Sequence, residues 1–268
     1  MSVPADSLPQ PQLTPAQRQV FAEDGFLVMR QLASVERIAA LRSLALAHAD
    51  RRVVPIEYEA DVAYPGAPAS REAEGGDTPR RLLQAHDRDP LLADWTTDAR
   101  LTAIVAQLLD SERIWLSRNH HNCVMTKHPR FSTATAWHRD LRYWAFETPR
   151  LVNAWLALGD ERPDNGGMRL LPGTHRMRFD ADAMDADQFL REDVPRNREL
   201  IASAVEATLD PGDVLLFDAG TLHAAGANAT DELKLSVVTT YYGADNAPVP
   251  GTRSAQRPPV IAREPDDA

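Results

Sequence analysis

Residues 135–144 read TAWHRDLRYW and place a histidine and an aspartate two positions apart among large aromatic rings. The chain has only eight histidines and five tryptophans in 268 residues, so their concentration here needs a reason. If this segment is a strand, alternation puts His138 and Asp140 on one face of it. An imidazole and a carboxylate there are neighbouring ligands for one metal ion. The stretch therefore predicts a metal site on a β-strand.

A second His-x-Asp triplet in the chain shows that the motif alone is weak evidence for a metal site. Chance alone gives about one such triplet in a chain of this composition, and His48 and Asp50 form another. That triplet ends VERIAALRSLALAHAD, whose apolar spacing is helical, and residues two apart on a helix do not face each other. The pair at His138 and Asp140 is the better candidate and needs a third ligand.

Composition argues against several classes of protein. The net charge of −10 disfavours nucleic acid or an anionic membrane surface as the main partner. The one cysteine, Cys123, permits no internal disulfide and fits a reducing cytoplasm. The N-terminus has no signal-peptide pattern, and no run of 18 apolar residues is present. We expect a cytoplasmic protein, monomeric or homodimeric, that acts on a small molecule.

Apolar spacing divides the chain into a helical part and a β part. Cap signals predict helices at 14–23, 34–49 and 98–109, and FLVM at 26–29 predicts a short strand. From residue 113 onward short apolar segments alternate with turn signals, which predicts strands at 113–117, 122–127, 136–140, 151–158, 168–172, 213–217, 221–226 and 234–243. This order favours a mainly β sandwich with N-terminal helices on one face.

Three segments outside this pattern are irregular. Residues 1–13 are polar and Pro-rich, which predicts a flexible N-terminus before a single domain over 14–244. Residues 51–90 carry several prolines and a Gly-Gly pair, which is typical of a functional loop or lid. Residues 245–268 form a Pro-rich C-terminal tail of mixed charge that we expect to be extended or disordered.

His223 is the best candidate for the third ligand. It stands in LFDAGTLHAAG near the end of the β part, and a jelly roll brings late strands beside early ones. Two histidines and one carboxylate form the facial triad of non-haem iron(II) oxygenases, which leaves positions open for other ligands. Taken alone, His223 is equally well explained as a core histidine.

Three stretches together resemble the phytanoyl-CoA dioxygenase family of Fe(II)- and 2-oxoglutarate-dependent oxygenases: KHPRFSTATAWHRDLRYW, LVNAWLALGDERPDNGGMRLLPGTHR and LDPGDVLLFDAGTLHAAGAN. The segment LTPAQRQVFAEDGFLVMRQLASVERIAALR is also similar to that family's N-terminal region, so the resemblance covers roughly residues 12–243. It implies a double-stranded β-helix, a cupin-like jelly roll, in which His138, Asp140 and His223 bind Fe(II). It also implies that 2-oxoglutarate and O₂ are consumed and that succinate and CO₂ are released while a small organic molecule is hydroxylated. Because Asp140 supplies a carboxylate, no ligand position is vacant for a halide, which favours hydroxylation over halogenation.

The resemblance extends to residues around the cosubstrate. Trp155 and Lys127 match positions beside 2-oxoglutarate, although a core tryptophan and a solvated lysine are equally good accounts. The family normally has an arginine eleven residues after the second histidine, and Lys234 stands at that position here. Lysine keeps the charge but lacks the planar two-pronged grip of arginine. Strand alternation turns Lys234 toward the barrel interior, where a buried cation requires an anion, or else it is exposed and paired with Asp231 or Glu232.

Substrate contacts are less well defined by the sequence. Arg139, Arg142 and Tyr143 are candidates, and Arg142 suits either an anionic group or an exposed salt bridge. Among the other histidines, His175 in PGTH is expected in a turn rather than as a ligand. A solvated strand edge is expected for the remaining three near the site, with a substrate or site contact as the alternative: His120, His121 and His128.

Two other functions stay open on the sequence alone. One is a cupin-like metalloenzyme that does not use 2-oxoglutarate, which Lys234 in place of arginine favours. The other is a catalytically silent binding protein of the same fold, which the intact triad of His138, Asp140 and His223 disfavours.

Overall fold

The computed structural model describes residues 10–62 and 64–265. The strands in these ranges are β1 (Phe26–Met29), β2 (Ile56–Tyr58), β3 (Pro79–Leu83), β4 (Ile114–Leu116), β5 (Asn122–Lys127), β6 (Thr135–His138), β7 (Val152–Ala157), β8 (Met168–Leu170), β9 (Val205–Glu206), β10 (Val214–Asp218), β11 (His223–Ala225), β12 (Lys234–Gly243) and β13 (Val260–Arg263). The helices are α1 (Pro15–Asp24), α2 (Val35–Asp50), α3 (Ala85–Arg88), α4 (Pro90–Thr96), α5 (Ala99–Leu109) and α6 (Pro195–Ile201).

Two antiparallel sheets make up a jelly roll. In the described part of the chain, the larger sheet has nine strands in the order β1-β10-β7-β12-β5-β3-β2, with β4 beside β12 and β13 beside β4. The smaller sheet has the order β6-β11-β8-β9. Strands distant in sequence are neighbours, as in the pairing of β6 with β11, which brings the segment around residue 138 next to the segment around residue 223.

Side-chain alternation gives the larger sheet two different faces. On β12, Leu235 and Val237 belong to the hydrophobic core that the larger sheet shares with helices α2, α4 and α5, into which Trp95 and Ile104 project. The opposite face turns toward the smaller sheet, where Val238 packs in a second apolar cluster. The predicted helical cover over one face of a β structure is therefore confirmed.

The long N-terminal helices begin and end where local sequence signals place them. Thr14 caps α1 through a capping box with Gln17, and Gly25 ends that helix in the left-handed region at φ 85°. Ser34 caps α2 and Asp98 caps α5 by accepting backbone N–H groups. All three helices agree with their predicted bounds to within one residue.

The segment 51–90 differs from its prediction at both ends. Strands β2 and β3 lie there and extend the larger sheet, with Leu82 opposite Val124 on β5. Pro79 is tolerated because it is the first residue of β3, where a missing N–H disturbs the ladder least. Between these strands, the described residues 59–62 and 64–78 form the connection, which opens with a 3₁₀ turn at Glu59–Asp61, so the idea of one long lid over 51–90 is wrong for the residues in β2 and β3.

The C-terminal segment has a defined structure as far as residue 265, so of the two predicted states, extended or disordered, the disordered one is wrong there. Strand β13 adds to the edge of the larger sheet by pairing with β4. Asn119 ties down the preceding turn, because its side-chain amide donates to the carbonyl oxygens of Ser254 and Arg257. Backbone hydrogen bonds to an available sheet edge outweigh the tendency of the Pro-rich segment to remain without regular structure.

The N-terminal prediction concerns residues that the structure describes only in part. Residues 1–9 lie outside the described ranges, so that part of the prediction is not tested. Residues 10–13 are held against α5, since Leu13 is buried and the side chain of Gln107 bonds to the backbone of Leu13 and Pro11. A search of the described helices finds none with the length and apolar character needed to cross a membrane.

Candidate metal and substrate site

Three buried side chains converge between the two sheets. His138 is the last residue of β6, His223 is the first residue of β11, and the two are direct partners across this antiparallel pair. The Nε2 atoms of His138 and His223 lie 3.5 and 3.6 Å from Oδ1 of Asp140. One ligand atom from each residue falls within 4.8 Å of the others, which is the spacing of a shared ion.

Asp140 reaches this point by a different route from the predicted one. Strand β6 ends at His138, and Asp140 is the first residue of a 3₁₀ turn that continues to Tyr143. A backbone hydrogen bond of 3.1 Å from Leu141 to Ala219 fixes the turn beside the entry to β11. The two residues share one site because the chain turns after the strand, so the prediction that both stand on one strand is wrong.

Backbone carbonyl groups orient both imidazoles. Nδ1 of His138 lies 2.8 Å from the carbonyl oxygen of Ala136, and Nδ1 of His223 lies 3.0 Å from that of Thr221. Each carbonyl can only accept, so Nδ1 carries the proton and the lone pair of Nε2 faces the common point. Burial lowers the pKa of His223 to about 4, which keeps its imidazole neutral and able to bind a metal at physiological pH.

Only one of the two oxygens of Asp140 is used by the protein. Oδ2 accepts a 2.7 Å hydrogen bond from Nδ2 of Asn153, whose own oxygen accepts from Thr240 at 2.5 Å. Burial on its own would raise the pKa of Asp140, but the imidazoles of His121 and His223 beside it hold that pKa well below its ordinary value. Oδ1 is buried and receives no hydrogen bond, although it faces both Nε2 atoms. An ionised, unpartnered oxygen between two lone pairs fits a cation.

Two residues that no sequence motif indicated, Asn153 and Thr240, support the carboxylate of Asp140. Asn153 stands two residues before Trp155 on β7, and strand alternation could have placed both on the inner face. Thr240 is the register partner of Asn153 on β12. His121, for which a solvated edge was expected, lies with Nδ1 3.3 Å from Oδ2 of Asp140, so that expectation is wrong.

An inner cavity extends from the triad toward the ends of β5 and β12. Lys127 and Lys234 are direct partners on these strands, and both line the cavity together with Trp155. Nζ of Lys234 lies 3.0 Å from Oε2 of Glu161 and 5.1 Å from the ring centroid of Trp155. The predicted inward orientation of Lys234 is confirmed, and the alternative pairing with Asp231 or Glu232 is wrong. The anion beside it is Glu161, which the sequence analysis did not identify.

Glu161 is hydrogen-bonded by other side chains, whereas Lys127 donates only to backbone carbonyl groups. Glu161 is fully buried, and its Oε1 accepts from Nε1 of Trp155 at 2.7 Å and from Ser236 at 2.5 Å. Lys127 forms no salt bridge within the described residues, and Nζ donates only to the carbonyl oxygens of Thr133 and Gly226. Burial, with the charges of Lys234 and Arg80 nearby, lowers the pKa of Lys127 to about 7. When Lys127 is protonated, the two lysines and Glu161 at this end of the inner cavity carry one positive charge in excess.

An outer cavity adjoins the inner one, and Arg81 and His121 line both. Arg142 and Tyr143 line the outer cavity, and the Tyr143 hydroxyl lies 2.9 Å from that of Tyr64 in the 59–78 connection. Arg139 lines neither cavity, because its guanidinium packs 5.1 Å from the ring centroid of Phe179. The structure therefore gives no support to the predicted substrate contact of Arg139, whereas the roles of Arg142 and Tyr143 stay predictions.

The remaining histidines lie outside the triad. His120 is packed edge-on against Trp144 with 4.5 Å between ring centroids, and burial lowers its pKa to about 3. His128 is exposed, as expected for a strand edge. His175 lies in a 3₁₀ turn, as predicted, and His48 lies in α2.

Comparison with known proteins places this architecture in a family. The sequence model of the phytanoyl-CoA dioxygenase (PhyH) family matches residues 21–236. The ectoine dioxygenase of Nocardia farcinica is 28% identical over an alignment that covers 91% of this chain and 83% of that one. The ectoine dioxygenase of Halomonas elongata is also 28% identical, with coverage of 96% and 78%.

Solved structures share the fold at lower sequence identity. The crystal structure of EctD from S. alaskensis with bound Fe is 22% identical and has a TM-score of 0.74, with coverage of 94% of this chain and 86% of that one. The epimerase SnoN from nogalamycin biosynthesis, in complex with Fe³⁺, alpha ketoglutarate and nogalamycin RO, is 22% identical with a TM-score of 0.70, covering 94% and 95%. The predicted jelly roll and the predicted enzyme class are confirmed, and since the family model spans most of its length, the chain belongs to the phytanoyl-CoA dioxygenase family.

Proposed function

We propose that His138, Asp140 and His223 hold the iron of a 2-oxoglutarate-dependent dioxygenase that hydroxylates a small organic molecule. The observation that carries this proposal is the buried Oδ1 of Asp140, which lacks a donor and faces two imidazole lone pairs. Membership of the PhyH family supports the reaction class. When bound, Fe(II) supplies the activation of O₂ that is coupled to conversion of 2-oxoglutarate into succinate and CO₂.

The protein's part in this chemistry begins with holding the ligands still. Carbonyl oxygens fix the tautomers of both histidines, and Asn153 fixes the carboxylate plane of Asp140 through Oδ2. Outer partners of this kind orient metal ligands and raise metal affinity. His138 and His223 come from the facing ends of β6 and β11, and Asp140 comes from the turn after β6, so the triad lines the inner cavity and a metal held there would be reached from it.

The inner cavity is suited to the cosubstrate. Its unbalanced positive charge matches the carboxylate of 2-oxoglutarate that is remote from the metal. Lys127 and Lys234 would hold that group beside Trp155, and Glu161 keeps Lys234 in place through the 3.0 Å ion pair. A charge-assisted contact here is worth roughly 1.5–3 kcal/mol.

Val62 and Tyr64 of the connection between β2 and β3 line the outer cavity, where this segment would limit the access of water. Tyr64 reaches the site through its hydrogen bond to Tyr143. Glu59, which begins the connection, is fully buried and accepts from Arg80 at 2.8 Å and from the backbone of Thr133 at 3.1 Å. These contacts attach the start of the connection to the larger sheet. A fixed connection at this place suits oxygen activation, because that chemistry needs a site from which bulk water is excluded.

The substrate is a small polar molecule in this proposal. The relatives named above are ectoine dioxygenases, so ectoine is the first compound to test. A cytoplasmic location and a monomeric or homodimeric state stay predictions. One specific observation favours a metalloenzyme without 2-oxoglutarate as second candidate: Lys234, at the position of the usual anchor, already has the carboxylate of Glu161 as its partner.

Succinate release separates these functions. The purified protein, supplied with Fe(II), air and 2-oxoglutarate, should release succinate slowly alone and faster with the substrate. His138→Ala, Asp140→Ala and His223→Ala should each abolish this release without unfolding the domain, because the hydrophobic cores do not depend on the ion. His48→Ala, which changes the other His-x-Asp pair, is the matched control. Metal-dependent turnover of a substrate without any 2-oxoglutarate would support the second candidate instead.

A further inference from the structure

The outer cavity contains an unusual number of buried nitrogen atoms without partners. Three of its side chains present such an atom: Arg81 at Nε, His120 at Nε2 and Arg142 at Nη1, whereas Nδ1 of His121 faces Oδ2 of Asp140 at 3.3 Å. The ring nitrogens of a histidine take either role according to the tautomer, but both guanidinium groups can only donate. Buried donors are normally satisfied, so an unsatisfied group of them points to a ligand that accepts.

Arg142 is the donor that the protein itself leaves free. Its guanidinium lies 4.0 Å from the ring centroid of Phe189 and 5.1 Å from that of Tyr143, so aromatic rings hold it in place. Among residues 10–62 and 64–265 this guanidinium has no hydrogen-bond or salt-bridge partner, and only the backbone N–H of Arg142 is paired, with the carbonyl oxygen of Arg139. Arg81 differs because Glu57 accepts from its Nη1 at 2.5 Å. The salt bridge that the sequence offered as an equal account of Arg142 is therefore absent from the described structure.

The position of Arg142 relates it to the reacting centre. The ring of Tyr143, the next residue, lies 6.1 Å from that of His138. His121 connects the two cavities, since it lines both and contacts Oδ2 of Asp140. A molecule bound to Arg142 in the outer cavity therefore lies beside the triad, with the rings of Tyr64 and Tyr143 available to its apolar part.

We propose that Arg142 receives a carboxylate of the substrate, so that the enzyme acts on small carboxylic acids or carboxylate-bearing zwitterions. The proposal rests on the function proposed above and adds the chemical class of its substrate. The planar fork of a guanidinium matches the two oxygens of a carboxylate, and the ring contacts leave that fork free. The carboxylate would fix the orientation of the molecule, with the carbon that is oxidised on the side of His138 and Asp140.

Binding to the full-length protein without added iron or 2-oxoglutarate tests the class directly. The probes are small monocarboxylates and their neutral amides in matched pairs, such as phenylacetate with phenylacetamide, and ectoine, titrated by calorimetry or ligand-observed NMR. We expect at least one carboxylate to bind about tenfold to a hundredfold more tightly than its amide. Arg142→Met should remove that preference, and Arg142→Lys should restore part of it.

Two control variants make the result specific. Arg169 also has its guanidinium over an aromatic ring, 5.4 Å from Trp137, but it is exposed and lines neither cavity, so Arg169→Met should retain the preference. Lys127→Met tests whether the probes bind in the inner cavity instead. The proposal is overturned if no pair shows a preference, if the preference survives Arg142→Met, or if Lys127→Met removes it. Intact carboxylate binding without any succinate release would contradict the proposed function alone.

Discussion

Replacing Lys234 with methionine would leave the carboxylate of Glu161 buried without its cation. Lys234 and Glu161 have side-chain exposures of 3% and 0%, and their charges are 3.0 Å apart. Removing one partner of a buried pair costs about 3–5 kcal/mol because the other charge remains desolvated. Glu161 keeps two donors, Trp155 and Ser236, which places the expected loss toward the lower end of that range.

Thermal or urea unfolding measures this loss. For a domain of this size, each kcal/mol shifts the Tm by roughly 2–4 °C, so Lys234→Met should lower the Tm by about 6–12 °C. The double variant Lys234→Met/Glu161→Gln should recover much of the loss, since no charge is then buried alone and glutamine still accepts from Trp155. Lys127→Met is the control, because Lys127 has no carboxylate partner and its buried charge contributes no comparable pair.

Two outcomes would refute the reasoning. The first is unfolding of Lys234→Met at the same temperature as the wild type, which would mean that the ion pair adds nothing to stability. The second is a double variant no more stable than Lys234→Met, which would mean that the loss comes from packing of the side chain rather than from the isolated charge of Glu161. In either case the positive charge excess assigned to the inner cavity would need revision.

Three further predictions concern the site and its cover. Asn153→Ala should weaken iron binding by about tenfold to a hundredfold, measured by metal titration, because Oδ2 of Asp140 loses its donor; Asn119→Ala, which removes a buried amide elsewhere, should not. Since the pKa of Lys127 is lowered to about 7, the free enzyme loses this cation as the pH rises through 7, so the KM for 2-oxoglutarate should rise above that pH in the wild type and stay flat in Lys127→Arg. Residues 59–78 should become more resistant to limited proteolysis when metal, 2-oxoglutarate and substrate are present, and equal cleavage with and without them would contradict a role as cover.

Short-range signals explain what the sequence predicted well. Strands β5 and β12 coincide with the predicted segments 122–127 and 234–243, because each is an uninterrupted run bounded by turn residues. Helix α5 begins after Asp98, whose side chain accepts the first backbone N–H groups. The inward face of Lys234 follows from strand alternation, which depends on a few neighbouring residues. The triad follows from the order of the motifs along the chain, although Asp140 stands in the turn after β6 rather than on the strand.

Interactions between distant segments explain what the sequence did not show. Glu161 lies in a turn after β7, and nothing in GDERP indicates that its side chain will point back to Lys234, 73 residues away. Strands β3 and β13 depend on sheet edges offered by β5 and β4, so their own composition predicts loops. The 3₁₀ turn at Asp140 is similar, since its position is fixed by contact with Ala219.

A comparison of two buried aspartates distinguishes a structural carboxylate from a metal-binding one. Asp213 is 1% exposed, and its oxygens accept from the backbone of Gln31 at 2.8 Å, from Arg30 at 2.6 Å and from the backbone of Asp210 at 2.9 Å. Asp140 is 2% exposed, yet its Oδ1 has no donor. Asp213→Asn should therefore lower the free energy of unfolding by about 1–3 kcal/mol and leave iron affinity unchanged.

Asp140→Asn should show the reverse pattern. It removes no hydrogen bond from Oδ1 but does remove the charge that the neighbouring imidazoles favour, so the metal-free protein should lose less free energy of unfolding than Asp213→Asn does, whereas iron binding loses its only anionic ligand in the triad. Metal titration and urea unfolding of both variants, each in the absence of 2-oxoglutarate, give a crossed comparison. The opposite result is that Asp140→Asn destabilises the metal-free fold as much as Asp213→Asn and still binds iron like the wild type. The missing donor at Oδ1 of Asp140 would then be a feature of packing, and the assignment of the triad would fail.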